Sequence, residues 1–91
     1  MMLQTFSITV SGKVQGVYYR QSAKEKALEL GLTGTVENLR NGHVLLVATG
    51  TTEQLNKLVD WCKQGPSRAR VTDVQVEQET ARSFTGFTIQ R

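Results

Sequence analysis

Residues 5–20 read TFSITVSGKVQGVYYR, and this stretch decides the fold because its periodicity changes half-way along. Up to Val10, apolar and polar residues alternate, which is the period-two pattern of a half-buried β-strand. Two glycines follow, Gly12 and Gly16, and from about Tyr19 the apolar residues recur at the spacing of one helical face. The sequence therefore predicts a strand, a glycine-containing loop and a helix in succession.

Short turn and capping signals divide the rest of the chain. Gly31 is suited to end the first helix, because glycine readily adopts the left-handed conformation. The Asn-Gly pair at 41–42 is the strongest short signal for a tight hairpin turn. Thr51 with Gln54 fits a capping box that begins a second helix, and the Gly-Pro pair at 65–66 ends it. Further strands are predicted at residues 32–38, 44–49, 71–78 and 86–91.

The predicted order of elements is β-α-β-β-α-β with one further short strand. This order is typical of the α+β class and predicts a ferredoxin-like sandwich, in which two helices pack on one face of an antiparallel sheet and the extra C-terminal strand lies at an edge. A chain of 91 residues is near the lower end of the usual domain size, so we expect a single domain over residues 1–91. Because this fold carries many unrelated functions, the function has to be read from a site.

The composition favours one class of ligand and excludes several kinds of site. The 11 basic residues outnumber the 8 acidic ones, and the net charge of +3 favours anionic ligands. A single cysteine and a single histidine cannot form an intramolecular disulfide or anchor a common zinc site, so we predict no metal and no cofactor. No apolar run approaches the length of about 18 residues that spans a bilayer, and the first ten residues do not resemble a signal peptide. We therefore expect a cytoplasmic protein.

The loop between the first strand and the first helix is the best candidate site. Glycines there let successive backbone N–H groups point at one anion, and the helix N-terminus adds positive potential. Arg20 lies in the first helical turn and can offer a pair of donors to a phosphate or carboxylate. Loose glycine patterns are common, so the glycines alone would favour a plain turn with a surface arginine.

Two spaced motifs make the pattern more specific. GKVQGVYYR at 12–20 resembles the first signature of the acylphosphatase family, G-x-V-Q-G-V-x-[FY]-R, at every fixed position. Gly34 and Asn38 match the glycine and asparagine of the family's second signature. The residues that follow at the spacings of that signature are Gly42, Val44 and Gly50. GPSRARV at 65–71 and FTI at 87–89 are similar to later family segments, so the resemblance covers nearly the whole chain.

The resemblance implies an enzyme that hydrolyses the carboxyl–phosphate bond of acylphosphates to a carboxylate and inorganic phosphate, without a metal ion. Arg20 would bind the phosphate and Asn38 would position the attacking water. The residues whose backbone amides would hold the phosphate are Gln15, Gly16, Val17, Tyr18 and Tyr19. At 91 residues we expect the free-standing form of the enzyme, a monomer whose partner is a small-molecule acylphosphate rather than a nucleic acid or a membrane.

Two residues depart from the family pattern. Thr35 stands where an aromatic residue is usual, and Glu37 stands where Lys, Arg or Gln is frequent. We expect Thr35 to reduce the bulk on the second strand. Glu37 is expected to point to the sheet face opposite Asn38, because neighbours in a strand alternate. The C-terminal carboxylate can lie near the site arginine in family members, so Arg91 is a candidate for that contact.

Other chemistry-bearing residues have plainer explanations. His43 is expected to be a solvated turn residue, and Cys62 a small buried hydrophobe on the second helix. Lys63, Arg68 and Arg70 are expected to form a solvated basic loop, with electrostatic steering of an anionic substrate as the alternative.

Two other function classes fit this chain less well than the enzyme. RNA-recognition modules share this fold, but they stack bases on aromatic residues of the central strands, and here Phe6 is in phase with the core. A regulatory anion-binding module would need Arg20 and the loop, but it would have no use for the water-positioning amide of Asn38.

Overall fold

The computed structural model describes residues 2–90, and within them the strands and helices follow the predicted order. Their bounds are β1 (Gln4–Lys13), α1 (Tyr19–Glu29), β2 (Thr33–Asn38), β3 (Val44–Gly50), α2 (Thr52–Cys62), β4 (Arg70–Glu79) and β5 (Phe87–Gln90). β1 and β4 are longer than predicted because they pair with each other along almost their whole length. The last predicted strand also included Arg91, which lies outside the described residues.

The strands form one sheet in the order β4-β1-β3-β2-β5. Neighbouring strands are antiparallel except β2 and β5, which run parallel. The segment 80–86 explains this pairing, since it carries the chain from β4 at one edge to the far edge at the end where β2 begins. The predicted ferredoxin-like α+β fold is confirmed, with the extra strand at an edge.

The hydrophobic core lies between this sheet and the two helices. Alternate residues of the strands point toward the helices, as the period-two pattern predicts. The core residues of the strands are Ile8, Val10, Val36, Val44, Leu46, Ala48 and Phe87, and those of the helices are Tyr19, Ala23, Ala27, Leu55, Leu58 and Cys62. Burying each large side chain of this set stabilises the fold by about 1.5–3 kcal/mol. No helix within residues 2–90 has the length and apolar character needed to cross a bilayer.

The opposite face of the sheet carries a small polar network under the segment 80–86. Thr5 is completely buried, and its hydroxyl lies 2.7 Å from that of Thr49. The Arg82 N–H donates to Thr5 Oγ1 at 2.8 Å, and Thr49 Oγ1 donates to the Arg82 carbonyl at 2.8 Å. Simple alternation left Thr5 on a solvated face, so its burial is a consequence of the covering segment. Phe6 points to the helix side of the sheet, as predicted, where it is half-buried and packs against the core.

The helix termini follow the sequence signals. Gly31 has φ 80°, and its N–H donates to the Leu28 carbonyl at 3.1 Å. The Leu32 N–H donates to the Ala27 carbonyl at 2.9 Å, and the two bonds together form a Schellman motif. At the start of α2, the Thr51 N–H donates to the Gln54 side chain at 2.9 Å, while Thr51 Oγ1 accepts from the Gln54 N–H at 3.3 Å. Both predicted caps are confirmed.

Candidate active site

The pairing of β1 with β4 shifts just before the candidate loop. The register between β1 and β4 shifts between Ser11 and Gly12, so that Thr72 of β4 has no partner of its own. Gly12 has φ 119°, and a Cβ there would collide with the carbonyl oxygen of Arg70. Bulges bend a strand and increase its twist. Glycine at position 12 therefore lets the backbone of β4 lie against β1 at this shift, directly before the loop.

The side chain of Gln15 ties this loop to the hairpin between β2 and β3. Gln15 Nε2 donates to the Leu39 carbonyl at 2.8 Å and to the His43 carbonyl at 2.9 Å. Val14 and Val17, on either side of it, are buried in the core. The loop is thus anchored at three of its residues, Val14, Gln15 and Val17. The sequence pointed to Gln15 for its backbone amide alone, and the long-range role of its side chain was missed.

Successive backbone N–H groups of the loop are open to a ligand. Gly16 has φ 74° and Tyr18 has φ 67°, so the chain alternates into the left-handed region within this short segment. Among residues 2–90, no protein oxygen accepts from the backbone N–H groups of Gly16, Val17, Tyr18 or Tyr19. Concave runs of N–H groups in such conformations attract anions.

The first turn of α1 adds to this positive potential. Tyr18 is the N-cap residue but makes no side-chain capping bond, and the first turn carries no acidic residue. Uncapped N–H groups and the helix dipole both favour a negative charge at this end of the helix. Arg20 lies in the same turn, as predicted, with its side chain half-buried.

Tyr19 fixes the position of that turn against α2. Its side chain is 1% exposed, and its hydroxyl donates to the Cys62 carbonyl at 2.8 Å. Its ring packs at a tilt against Trp61, with 5.3 Å between the ring centroids. Burial raises the pKa of Tyr19 and raises the pKa of the Cys62 thiol to about 12. Cys62 is completely buried, which confirms that it is a core residue.

Arg20 and Asn38 line one cavity of about 380 Å³, although they are 18 positions apart in the chain. The other lining residues are Val14, Gly16, Tyr18, Tyr19, Gln21 and Ile89. Asn38 is the last residue of β2 and is exposed. The volume lies within the range of ligand pockets, about 300–1,000 Å³. Of the predicted phosphate-binding residues, Gly16, Tyr18 and Tyr19 line this cavity, whereas Gln15 and Val17 do not.

A separate groove lies on the other face of the sheet. Thr35 and Glu37 line it, together with Leu45 and Val47, and Phe84 of the segment 80–86 forms a wall. Glu37 therefore points away from Asn38, as predicted. The reduced bulk at Thr35 falls in this groove and not in the cavity that holds Arg20.

The remaining candidates lie outside the cavity. His43 is half-buried, and its main chain, rather than its ring, makes the contacts with the Leu39 N–H and Gln15. Lys63 Nζ lies 4.0 Å from Asp60 Oδ1. Arg70 lies opposite Lys13 in the β1–β4 pair, and both residues are exposed. Within residues 2–90, no group of three His, Cys, Asp or Glu side chains could hold a metal ion. The predicted contact of the Arg91 carboxylate lies outside the described residues.

Comparison with known proteins gives consistent matches over nearly the whole chain. A sequence model of the acylphosphatase family matches residues 6–89. An acylphosphatase from Marinobacter nauticus is 50% identical over 88 residues, which cover 96% of each chain. The solved structure of an acylphosphatase from Coxiella burnetii has a TM-score of 0.94 and 41% identity, covering 97% of this chain and 93% of that one. The acylphosphatase from Bacillus subtilis also has a TM-score of 0.94, with 32% identity over 99% of this chain and 100% of that one.

Proposed function

The chain belongs to the acylphosphatase family and hydrolyses the carboxyl–phosphate bond of acylphosphates, and we propose that Arg20, Asn38 and the backbone of residues 15–19 carry out this reaction. The observation that supports these roles is one cavity lined by Arg20, Asn38 and loop residues whose backbone N–H groups are open. The reaction needs donors that bind the phosphoryl anion and an amide that binds water, and both must border the same space.

Arg20 and the loop bind the transferred phosphoryl group. The guanidinium supplies two parallel donors in a fixed plane, and the N–H groups of the loop supply donors from another direction. Phosphoryl transfer with a good leaving group needs mainly positioning and stabilisation of charge on the equatorial oxygens. Because Tyr19 and Gln15 fix the two ends of the loop, its N–H groups are in place before the substrate arrives.

Asn38 holds the attacking water. Its amide can accept one hydrogen bond from the water and donate another, but it cannot remove a proton as a base. The proton of the water passes to an oxygen of the phosphoryl group, and the carboxylate leaves with the electrons of the broken P–O bond. A carboxylate is a weak base, so its departure requires no strong general acid. These steps use no metal ion, and inorganic phosphate is the product.

We also propose that residues 1–91 act as a single monomeric domain in the cytoplasm. The strands of the described part all belong to one sheet with one core cluster. The edge strand β4 exposes the charged side chains of Arg70, Asp73, Glu77 and Glu79, which discourage pairing with a second sheet. A buried free thiol at Cys62 suits a reducing compartment.

Hydrolysis of benzoyl phosphate in the presence of EDTA tests the assigned roles. We expect the wild-type chain to keep full turnover in the chelator. Arg20→Ala should lower kcat/KM about 10²- to 10⁴-fold, since two charge-assisted hydrogen bonds are each worth about 1.5–3 kcal/mol. Asn38→Ala should lower kcat about 10²- to 10³-fold with little change in KM.

Matched variants on exposed positions separate these effects from general damage. Arg68→Ala and Asn56→Ala remove the same side chains at exposed sites outside the cavity, and both should retain wild-type kinetics. Retained turnover in Asn38→Ala would refute the water-positioning role. A loss of turnover in EDTA that added Mg²⁺ restores would refute the metal-free mechanism.

A further inference from the structure

Tyr18 departs from local conformational preferences in three ways at once. It is the one non-glycine residue with positive φ within residues 2–90, at φ 67° and ψ 22°. It occupies the N-cap of α1 without making the capping bond that Ser, Thr, Asp or Asn would make. Its aromatic side chain is 69% exposed. Asparagine at this position would remove all three departures, because it tolerates the left-handed conformation, can cap a helix and is polar.

Residues that break local rules in a well-formed fold are typical of functional positions. Tyr18 lies in the wall of the cavity that Arg20 and Asn38 also line. A second apolar residue, Ile89 of β5, lines the same cavity. Ile89 is half-buried, so Tyr18 is the more exposed of these two apolar residues.

The cavity therefore has a polar part that suits the phosphoryl group and an apolar part that suits the acyl group bonded to it. We propose that Tyr18, with Ile89, is a specificity-determining residue that binds the acyl group and favours acylphosphates with an aromatic or bulky apolar acyl group over small ones. This inference rests on the proposed function, because Arg20 and the loop locate the phosphoryl group. An aromatic acyl group gains an offset or edge-to-face contact with the Tyr18 ring that a methyl group cannot make.

The test compares benzoyl phosphate with acetyl phosphate, which differ only in the phenyl or methyl group on the reacting carbonyl. Tyr18→Asn should lower the benzoyl-to-acetyl ratio of kcat/KM about three- to tenfold, as expected for the loss of one aromatic contact. Tyr18→Phe keeps the ring and should keep the ratio. Ile89→Ala should also lower the ratio, and it leaves the loop backbone unchanged.

Thermal denaturation of the same variants separates specificity from folding. Tyr18→Asn should melt at or above the temperature of the wild type, because the residue that fits the backbone better has replaced tyrosine. An unchanged ratio in Tyr18→Asn and Ile89→Ala would overturn the inference, as would an equal loss of kcat/KM for both substrates. If Arg20→Ala keeps its turnover, the proposed function itself fails. If Arg20→Ala loses turnover while the ratios stay constant, only the role of Tyr18 fails.

Discussion

Replacing Gln15 by alanine tests whether one side chain holds the phosphate-binding loop in place. Gln15 Nε2 donates to the Leu39 carbonyl at 2.8 Å and to the His43 carbonyl at 2.9 Å. Both acceptors belong to the turn that follows Asn38, so these two bonds join the two halves of the site. Their loss should change both the stability of the fold and the alignment of the site.

The magnitude follows from what each carbonyl retains. The Leu39 carbonyl still accepts from the Gly42 N–H at 3.1 Å, and the His43 carbonyl still accepts from the Leu39 N–H at 2.8 Å. Neither acceptor is left without a partner, so the full penalty of an unsatisfied buried group does not apply. Two net hydrogen bonds are worth about 1–3 kcal/mol in total. For a chain of this size a loss of about 2 kcal/mol lowers Tm by roughly 8–16 °C.

The activity of Gln15→Ala should fall further than its stability alone explains. A displacement of the loop of about 1 Å relative to Asn38 can lower kcat/KM on the order of 10–100-fold. The assays are urea denaturation, and benzoyl phosphate hydrolysis at a temperature where the variant is fully folded. Gln64→Ala is the matched control, because the Gln64 side chain is exposed and makes no hydrogen bond within residues 2–90.

A glutamate at the same position gives a stricter test. Gln15→Glu keeps the shape of the side chain but replaces the donor with an acceptor, which would face two carbonyl oxygens. It should therefore be less stable and less active than Gln15→Ala. Wild-type stability and kinetics in Gln15→Ala, or a Gln15→Glu variant that performs better than Gln15→Ala, would refute the role of this side chain.

Two further predictions concern the core. Gly34→Ala should lower the free energy of unfolding, measured in urea, by about 2–6 kcal/mol, because φ is 149° and the new Cβ would collide with the Val47 carbonyl. Gly86→Ala is the control: φ is 69°, no atom lies within 4 Å of the new Cβ, and the loss should be only about 1–2 kcal/mol. Equal losses in the two variants would contradict the role of the collision. Burial raises the pKa of the Cys62 thiol from 9.0 to about 12. Between these pH values the thiol keeps its proton in the folded state and loses it in the unfolded state, so the free energy of unfolding should fall as pH rises from 9 toward 12. The native thiol should also stay unreactive toward a disulfide reagent at pH 8, and rapid labelling of the folded chain would refute its burial.

Local signals in the sequence were sufficient for most of the elements. The change of period around Gly12, the Asn-Gly turn at 41–42 and the cap formed by Thr51 and Gln54 each act over a few residues. Steric limits on φ and ψ and the pattern of apolar residues decide such features without reference to distant parts of the chain. The alternation that separates Glu37 from Asn38 is of the same kind, and the structure confirms it.

Contacts between distant segments required the tertiary structure. Thr5 is polar and yet fully buried, because Arg82, which lies 77 residues later, crosses the sheet and completes its hydrogen bonds. The bond from Tyr19 to the Cys62 carbonyl spans 43 residues, and no periodicity could have indicated it.

The sequence by itself determined the order of strands and helices, and through its family resemblance it pointed to Arg20 and Asn38. The tertiary structure alone decided that these two side chains share a cavity with an apolar wall, and that Gln15 joins their supporting segments. The physical reason is one of range. Backbone sterics and periodicity act between near neighbours in the chain, whereas the shape of a cavity depends on how whole elements pack, and packing is a property of the assembled core.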